Sequence, residues 1–246
     1  MSTPDSPLLI PEPRRNRHRL FGCLGLLVLC GGLTWWIVVR SLATLHWGCG
    51  ETVVWSAERA CMQCGLSDAQ QKRVLEPVLD FAAKIREERY SLPSGLGLIR
   101  RFDRGPLFAT LFLSGLASRL QEQGEAGETV GASSTRMTAL FLEVYRQNPV
   151  ASATLTSLQE LVTIKQELTF RRPSGLVIRT MAPVMKPDLT PEERASALAL
   201  MQSAIAGAGN RPETPLRIDP VAAVTEAIQG VLGEENTGST SAERNQ

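Results

Sequence analysis

Histidine is nearly absent from this sequence, which limits the chemistry that the chain can perform. Only His18 and His46 occur among its 246 residues, and no histidine follows Trp47. Histidine is the side chain that most readily gains and loses a proton near neutral pH. Its absence excludes Ser-His-Asp and Cys-His catalytic arrangements, and multi-histidine metal sites, from residues 48–246. We therefore do not predict an enzyme.

Lysine, aromatic residues and net charge are also scarce. The four lysines follow no glycine-rich loop, and none stands three residues after a serine, which excludes a phosphate-binding P-loop and a Ser-x-x-Lys nucleophile. Aromatic residues make up 5% of the chain and the formal net charge is +1, so neither base stacking nor a basic surface for nucleic acid is indicated. The composition implies no nucleic-acid partner and no small-molecule substrate.

What the sequence has instead is one long uncharged apolar run, at residues 20–39. At a helical rise of about 1.5 Å per residue, such a run reaches roughly 30 Å, the thickness of the hydrocarbon layer of a membrane. It continues through Trp35 and Trp36, where a cleaved signal peptide would end in small residues. The run therefore predicts a retained signal-anchor, a single-pass transmembrane helix that contacts the lipid bilayer through residues 20–39.

The charges on either side of this run predict its direction. Four arginines fall within residues 14–19, whereas Arg40 is the only cation immediately after the run. Because positively charged flanks stay in the cytoplasm, we expect a cytoplasmic N-terminus and an extracytoplasmic C-terminal domain, periplasmic in a bacterium. Residues 1–19 are predicted to form a disordered basic cytoplasmic leader.

Helical signals dominate residues 67–233, which predicts one helical domain. Ser67 and Thr190 each open a capping box, and Asp219 precedes a proline at a first helical position. We expect a helical bundle, with an α-solenoid as the alternative architecture. A disordered tail is predicted to follow over residues 234–246.

The sequence predicts the secondary structure of four segments of this domain. Residues 106–120 are apolar nearly all round, which predicts a central core helix. A short strand or extended segment is predicted over residues 96–102, and a loop or hinge over the glycine-containing residues 121–134. A helix is expected over residues 149–169.

A juxtamembrane segment over residues 40–66 carries the one constellation with metal-binding spacing. His46 and Cys49 form one pair, and Cys61 and Cys64 form a second pair that a glycine follows, with a hairpin-sized interval between the pairs. This set fits one tetrahedral zinc ion in a knuckle. In an oxidising compartment the same cysteines favour a disulfide, and a redox thiol or inert thiols are the other interpretations. The expected cofactor is therefore none, or one structural zinc ion.

Two groups of arginines are candidates for a basic surface that binds lipid phosphates or an acidic partner. They are Arg100, Arg101 and Arg104 in one group, and Arg171, Arg172 and Arg179 in the other. The alternative is that these arginines cap the C-terminal ends of helices or are solvated in loops.

Together these features predict a mainly α-helical protein with one N-terminal transmembrane helix, a small cysteine-containing juxtamembrane segment and a helical domain. Its expected function is as a binding or scaffold component of a membrane-associated complex, with one or more protein partners. Catalysis by Glu143 or Asp103 with a neighbouring arginine is a further hypothesis. The alternative from another class is a membrane-tethered zinc-knuckle or thiol module built on His46, Cys49, Cys61 and Cys64.

Overall fold

The computed structural model describes the backbone of residues 16–122, 128–148, 151–172, 175, 177–208 and 218–243. Side chains are described for the same residues except 16–39, 128–133 and 235–243. The chain divides into two compact units, Met1–Leu45 and His46–Gln246. The described residues form eight helices and two strands: α1 (Asn16–Gln63), α2 (Asp68–Arg86), α3 (Leu92–Asp103), α4 (Pro106–Glu122), α5 (Glu128–Gln147), α6 (Ala151–Val162), β1 (Thr163–Arg171), β2 (Val177–Met185), α7 (Pro191–Gly207) and α8 (Pro220–Glu243).

The described residues are mainly helical, as predicted, but the predicted transmembrane helix is wrong. No helix of the described residues is long and apolar enough to cross a membrane. Residues 20–39 are not an element of their own but part of α1, which continues through residues 40–63, and their side chains lie outside the described residues. The mainly helical domain also contains a two-stranded sheet of β1 and β2, at positions where no strand was predicted. Residues 1–15 of the predicted leader and 244–246 of the predicted tail lie outside the described residues.

The cysteine-containing segment is helical where a small hairpin was predicted. Val53, Ala57, Ala60 and Cys61 are all buried within α1, and their spacing of three or four residues matches the helical period. Burial of this stripe against other helices overrides the β propensity of the two valines at positions 53 and 54. Burial of residues at helical spacing therefore determines the structure of this segment, and the strand propensity of single residues does not.

Three predicted helix starts are confirmed. Ser67 and Thr190 each form a complete capping box, in which the Thr190 hydroxyl accepts a hydrogen bond of 3.1 Å from the Glu193 backbone N–H. The Asp219 carboxylate accepts hydrogen bonds from two backbone N–H groups in the first turn of α8. These caps satisfy backbone donors that the helices cannot satisfy internally.

Other boundaries differ from the predictions. α3 is a helix where a strand was expected, because Ser91 caps it and accepts a hydrogen bond of 3.3 Å from the Ser94 backbone N–H. α5 begins at Glu128, inside the predicted loop, and α8 continues to Glu243. α6 ends at Val162, and β1 follows directly where the helix was expected to continue.

α4 is the central core helix, as its apolar sequence predicts. Eleven of its residues are buried, and α3, α5 and α8 pack against it. It also crosses the end of α1 so closely that a Cβ atom at Gly115 would overlap the carbonyl oxygen of Cys64. Glycine at this position therefore permits the backbone contact between the two helices.

β1 and β2 pair along their whole length as an antiparallel hairpin, beginning with Thr163 opposite Met185. Successive side chains of a strand point to opposite faces, so the hairpin has an inner and an outer face. The inner face packs on α1, where the Trp55 ring meets the Phe170 ring edge to face at 6.1 Å between centroids. The buried residues of this face are Leu168, Phe170 and Ala182.

Candidate binding groove

The structure does not bring the four predicted metal ligands together. His46, Cys49 and Cys61 lie along α1, and Cys64 follows its last residue. Residues 49 and 61 stand three turns apart in this helix, which corresponds to about 18 Å. Zinc ligands must lie within about 2.3 Å of one ion, so the two pairs cannot share it. Among the described residues, no group of three or more His, Cys, Asp or Glu side chains is placed to hold a metal.

The predicted disulfide is also wrong. Cys49, Cys61 and Cys64 are all free, and Cys49 packs instead beside Gly95 of α3. Burial raises the pKa of the Cys61 thiol to about 12, with a smaller contribution from the Glu58 carboxylate. Burial likewise raises the pKa of the Cys64 thiol, which is fully buried, well above its ordinary value. Both thiols are therefore neutral core side chains.

The best candidate site is a groove of about 370 Å³ where α1, α4, α5, α6 and the hairpin meet. Its floor is apolar, with Phe108 stacked on Phe112 at 6.3 Å between ring centroids. A volume of this size lies within the range of roughly 300–1,000 Å³ that is usual for ligand pockets. The floor residues are Phe108, Phe112, Tyr145 and Leu155, and the other lining residues are Arg59, Gln63, Asp103, Arg104, Gly105, Ser152, Thr156, Gln159, Thr163 and Pro183.

The turn between α3 and α4 forms one end of this groove. Gly105 has a φ of +98°, in a region that side-chain-bearing residues rarely adopt. Its carbonyl accepts a hydrogen bond of 3.0 Å from the Ala109 N–H, which starts α4. Arg104, just before it, is extended at φ −164°. This glycine therefore turns the chain so that both Arg104 and Phe108 line the groove.

Charge is distributed unevenly along the lining. Arg59 forms a salt bridge of 3.1 Å with Asp103, and its guanidinium also lies 5.3 Å from the centre of the Trp55 ring. Arg104 is exposed and forms no ion pair with another described residue. Burial raises the pKa of Tyr145, so its hydroxyl stays protonated. The groove therefore combines an apolar floor with one uncompensated positive charge at its end.

A second cavity, of about 470 Å³, lies between α3, α4, α5 and α8. Arg101 lines it but is already bound, since its guanidinium donates to the Ala227 carbonyl at 3.3 Å and to the Glu234 carboxylate at 2.6 Å. Arg146 and Glu226 also line it and have opposite charges. This cavity is larger but offers no concentrated charge and no aromatic floor, so we favour the groove.

No known protein family, curated protein or solved structure matches this chain.

The sequence points to only part of this groove. Asp103 and Arg104 are among the candidates it suggests, and the structure places both in the lining. Glu143, the other candidate carboxylate, instead accepts a hydrogen bond of 2.6 Å from Gln147 on the surface of α5. The aromatic floor was missed, because phenylalanines four residues apart on an apolar helix have the same pattern whether they face the core or a groove.

Proposed function

We propose that this chain is a binding module of a protein assembly, not an enzyme, and that it holds a short segment of a partner protein in the groove. The observation that supports this proposal is the apolar aromatic floor beside Arg104, which forms no ion pair within the described part of the chain. Apolar pockets with a few polar groups are the usual form of a binding site, since burial supplies affinity and the polar groups supply orientation.

The lining suggests the chemistry of the bound segment. An aromatic or branched aliphatic side chain would bury its surface against Phe108, Phe112 and Leu155. An acidic residue next to it would accept a charge-assisted hydrogen bond from Arg104. Asp103 is neutralised by Arg59 and does not offset this attraction. A segment with one bulky apolar residue beside an acid is therefore the expected ligand.

Catalysis is a weaker interpretation of the same residues. Asp103 is the carboxylate of the lining, and its side chain is 46% exposed and bound to Arg59. A general base works best when its pKa is tuned toward neutral pH by burial or by a like charge. The Asp103 carboxylate lies at the surface instead, and its contact is with a cation and not with a like charge.

Peptide selection against the full-length protein tests this proposal. A displayed library of random peptides should yield sequences with an aromatic or aliphatic residue next to an acid. Thr156→Trp should then weaken these peptides at least about tenfold, because the indole would occupy the groove. Arg104→Glu should remove the preference for the acid without removing the apolar preference.

Ser157→Trp is the matched control. Thr156 and Ser157 are adjacent exposed residues of α6, and each hydroxyl donates to the carbonyl four residues earlier, at 3.0 Å and 3.2 Å. Only Thr156 lines the groove. Peptides that bind both tryptophan variants equally, or a selection that enriches no common sequence, would contradict the proposal.

A further inference from the structure

The outer face of the hairpin is a second surface, separate in its chemistry from the groove. Apart from its last pair, the half-buried Thr163 and the buried Met185, all of its residues are exposed, including Val177 at 47% and Met181 at 65%. Its last exposed residue on β2, Pro183, also lines the groove. The exposed residues of this face are Lys165, Glu167, Thr169 and Arg171 of β1, and Val177, Arg179, Met181 and Pro183 of β2.

The hairpin is held in place, so this face is a preformed platform. Its inner face packs on α1 through the contact between Phe170 and Trp55. At the end of β1, the Arg172 side chain is only 8% exposed and binds the Glu58 carboxylate at 3.3 Å. Lys186, which follows β2, forms a salt bridge of 2.6 Å with a carboxylate of α7 and so fixes the base of the hairpin. A platform that is already ordered loses little conformational entropy on binding.

Positive charge exceeds negative charge on the outer face. It carries three cations and one carboxylate, and the carboxylate of Glu167 lies 3.7 Å from the Arg179 guanidinium. Lys165 and Arg171 form no ion pair with another described residue. These two cations stand six positions apart on β1, which corresponds to roughly 20 Å along the strand. The exposed side chains of Val177 and Met181 lie on β2, across from this span.

We propose that this outer face binds an extended acidic segment of a partner protein. Two carboxylates of that segment, about six residues apart, would reach Lys165 and Arg171 at the two ends of the face. An apolar side chain between them would cover Met181, the most exposed of the chain's described large hydrophobic residues. This proposal goes beyond the groove, because it concerns a different set of residues and a different ligand sequence.

The charge pattern favours a protein segment over an anionic lipid surface. Lipid-binding clusters usually contain about four to eight basic residues. The outer face has three, and Glu167 stands between them, where it would be repelled by neighbouring lipid phosphates. A single extended segment avoids this repulsion, since it can place an uncharged residue opposite Glu167.

The test uses the full-length protein and synthetic peptides of one composition. Each peptide carries a glutamate, a leucine two residues after it and a second glutamate four, six or eight residues after the first, in a serine and threonine background, so that all three side chains share one face of the extended peptide. Fluorescence anisotropy should give the tightest binding at a separation of six residues. That binding should weaken as salt is added and fall about tenfold in Lys165→Glu/Arg171→Glu.

Lys72→Glu/Arg73→Glu is the matched control, since it makes the same charge change at two exposed residues of α2. It should leave the peptide affinity within about twofold, as should Thr156→Trp in the groove. Equal binding of all three peptides, or equal weakening by the two double variants, would overturn the proposal. Binding to phosphatidylserine vesicles that Lys165→Glu/Arg171→Glu abolishes, without peptide binding, would assign the face to lipid instead.

Discussion

The core around α4 and the hairpin differ in how they use the same kinds of side chain. α4 buries eleven residues and has apolar side chains on every side, so helices surround it. The hairpin packs only one of its two faces on α1, and its own cluster contains three buried residues. Helical periodicity without a polar face leads to full burial, whereas strand alternation leads to burial on one side.

This difference indicates where stability and recognition are concentrated. Removing apolar surface from water is the main stabilising contribution to folding, and most of that surface is in the helices. The hairpin contributes less buried surface and leaves charged and apolar side chains exposed. Regions with few buried contacts open more readily than the core, and binding surfaces are often found in them. Five variants test this contrast, from the largest expected effect to the smallest.

Thiol reactivity should show the largest contrast between the two regions. At about pH 8, a Cys61 pKa of about 12 instead of the ordinary 9.0 lowers its reactive thiolate fraction roughly 1,000-fold. A cysteine introduced on the outer face by Thr169→Cys is exposed and should react at an ordinary rate. We expect iodoacetamide to label position 169 at least about 1,000 times faster than position 61, as measured by mass spectrometry of the separate peptides.

Unfolding in urea provides the control for that measurement. Both thiols should then react at similar rates, because burial no longer raises the pKa of either one. If Cys61 reacts in the folded protein as fast as the introduced thiol, α1 does not pack into a closed core. The core and the outer face of the hairpin would then not differ in their access to water.

Gly115→Ala should have the next largest effect. The added Cβ would overlap the Cys64 carbonyl oxygen, so α1 and α4 would have to separate. We expect a loss of about 3 kcal/mol of stability, which lowers Tm by roughly 6–12 °C in a chain of this size. Gly48→Ala in α1 is the control, because no atom lies within 4 Å of its added Cβ. It should stabilise the protein by roughly 0.5–1 kcal/mol, and equal Tm values for the two variants would disprove the close crossing.

The sequence predicts the helical core better than it predicts the hairpin. Capping residues such as Ser67 and Thr190 act on the turn that follows them, so local sequence is sufficient to place those helix starts. The change from helix α6 to strand β1 after Val162 is not marked by any such capping residue. Thr163 and Ile164 suit a strand, but a short apolar run is compatible with either structure until the partner strand is known.

The groove was harder to predict, because it depends on contacts between distant residues. Arg104 and Gly105 are adjacent in sequence, but their role requires α6 to lie opposite them. The cysteine pairs show the converse error, in which a site is predicted that the fold does not assemble. Their spacing matches a zinc knuckle, yet the buried stripe of α1 makes the interval between them a helix and keeps the pairs apart. Motif spacing is informative only when the segment between the motifs can bend.

Phe170→Ala should loosen the hairpin and leave the core intact. This change removes the edge-to-face contact with Trp55 and the one aromatic ring among the three buried residues of the inner-face cluster. We expect the hairpin to open more readily by about 2 kcal/mol, so its amide hydrogens should exchange roughly 30-fold faster. Amide exchange in α4 should not change. Thr169→Ala, the exposed neighbour, is the control, and faster exchange throughout α4 would show that hairpin and core unfold as one unit.

Glu58→Gln should have the smallest effect on the free energy of unfolding, and this effect should depend on pH. Burial raises the pKa of Glu58, an effect that Arg172 opposes and Glu51 reinforces. An acid whose pKa is raised by folding binds more protons in the folded state, so its contribution to stability falls as pH rises above its unfolded pKa of about 4.5. Relative to Glu58→Gln, the unmodified protein should therefore lose stability between about pH 4 and pH 7. The change should stay below about 1 kcal/mol, because water screens this half-buried group.

Glu193→Gln, at the other end of the hairpin, should reveal a change of stability with pH that has the opposite sign. The hydrogen bond from Lys186 is the main cause that lowers the pKa of Glu193, and the Thr190 backbone N–H adds to it. Its contribution is therefore present above the unfolded pKa and is lost as pH falls through the folded pKa. Urea unfolding of both variants across this range measures the two slopes. Slopes of the same sign would mean that folding lowers the pKa of Glu58, so that the attraction of Arg172 outweighs the burial of the Glu58 carboxylate.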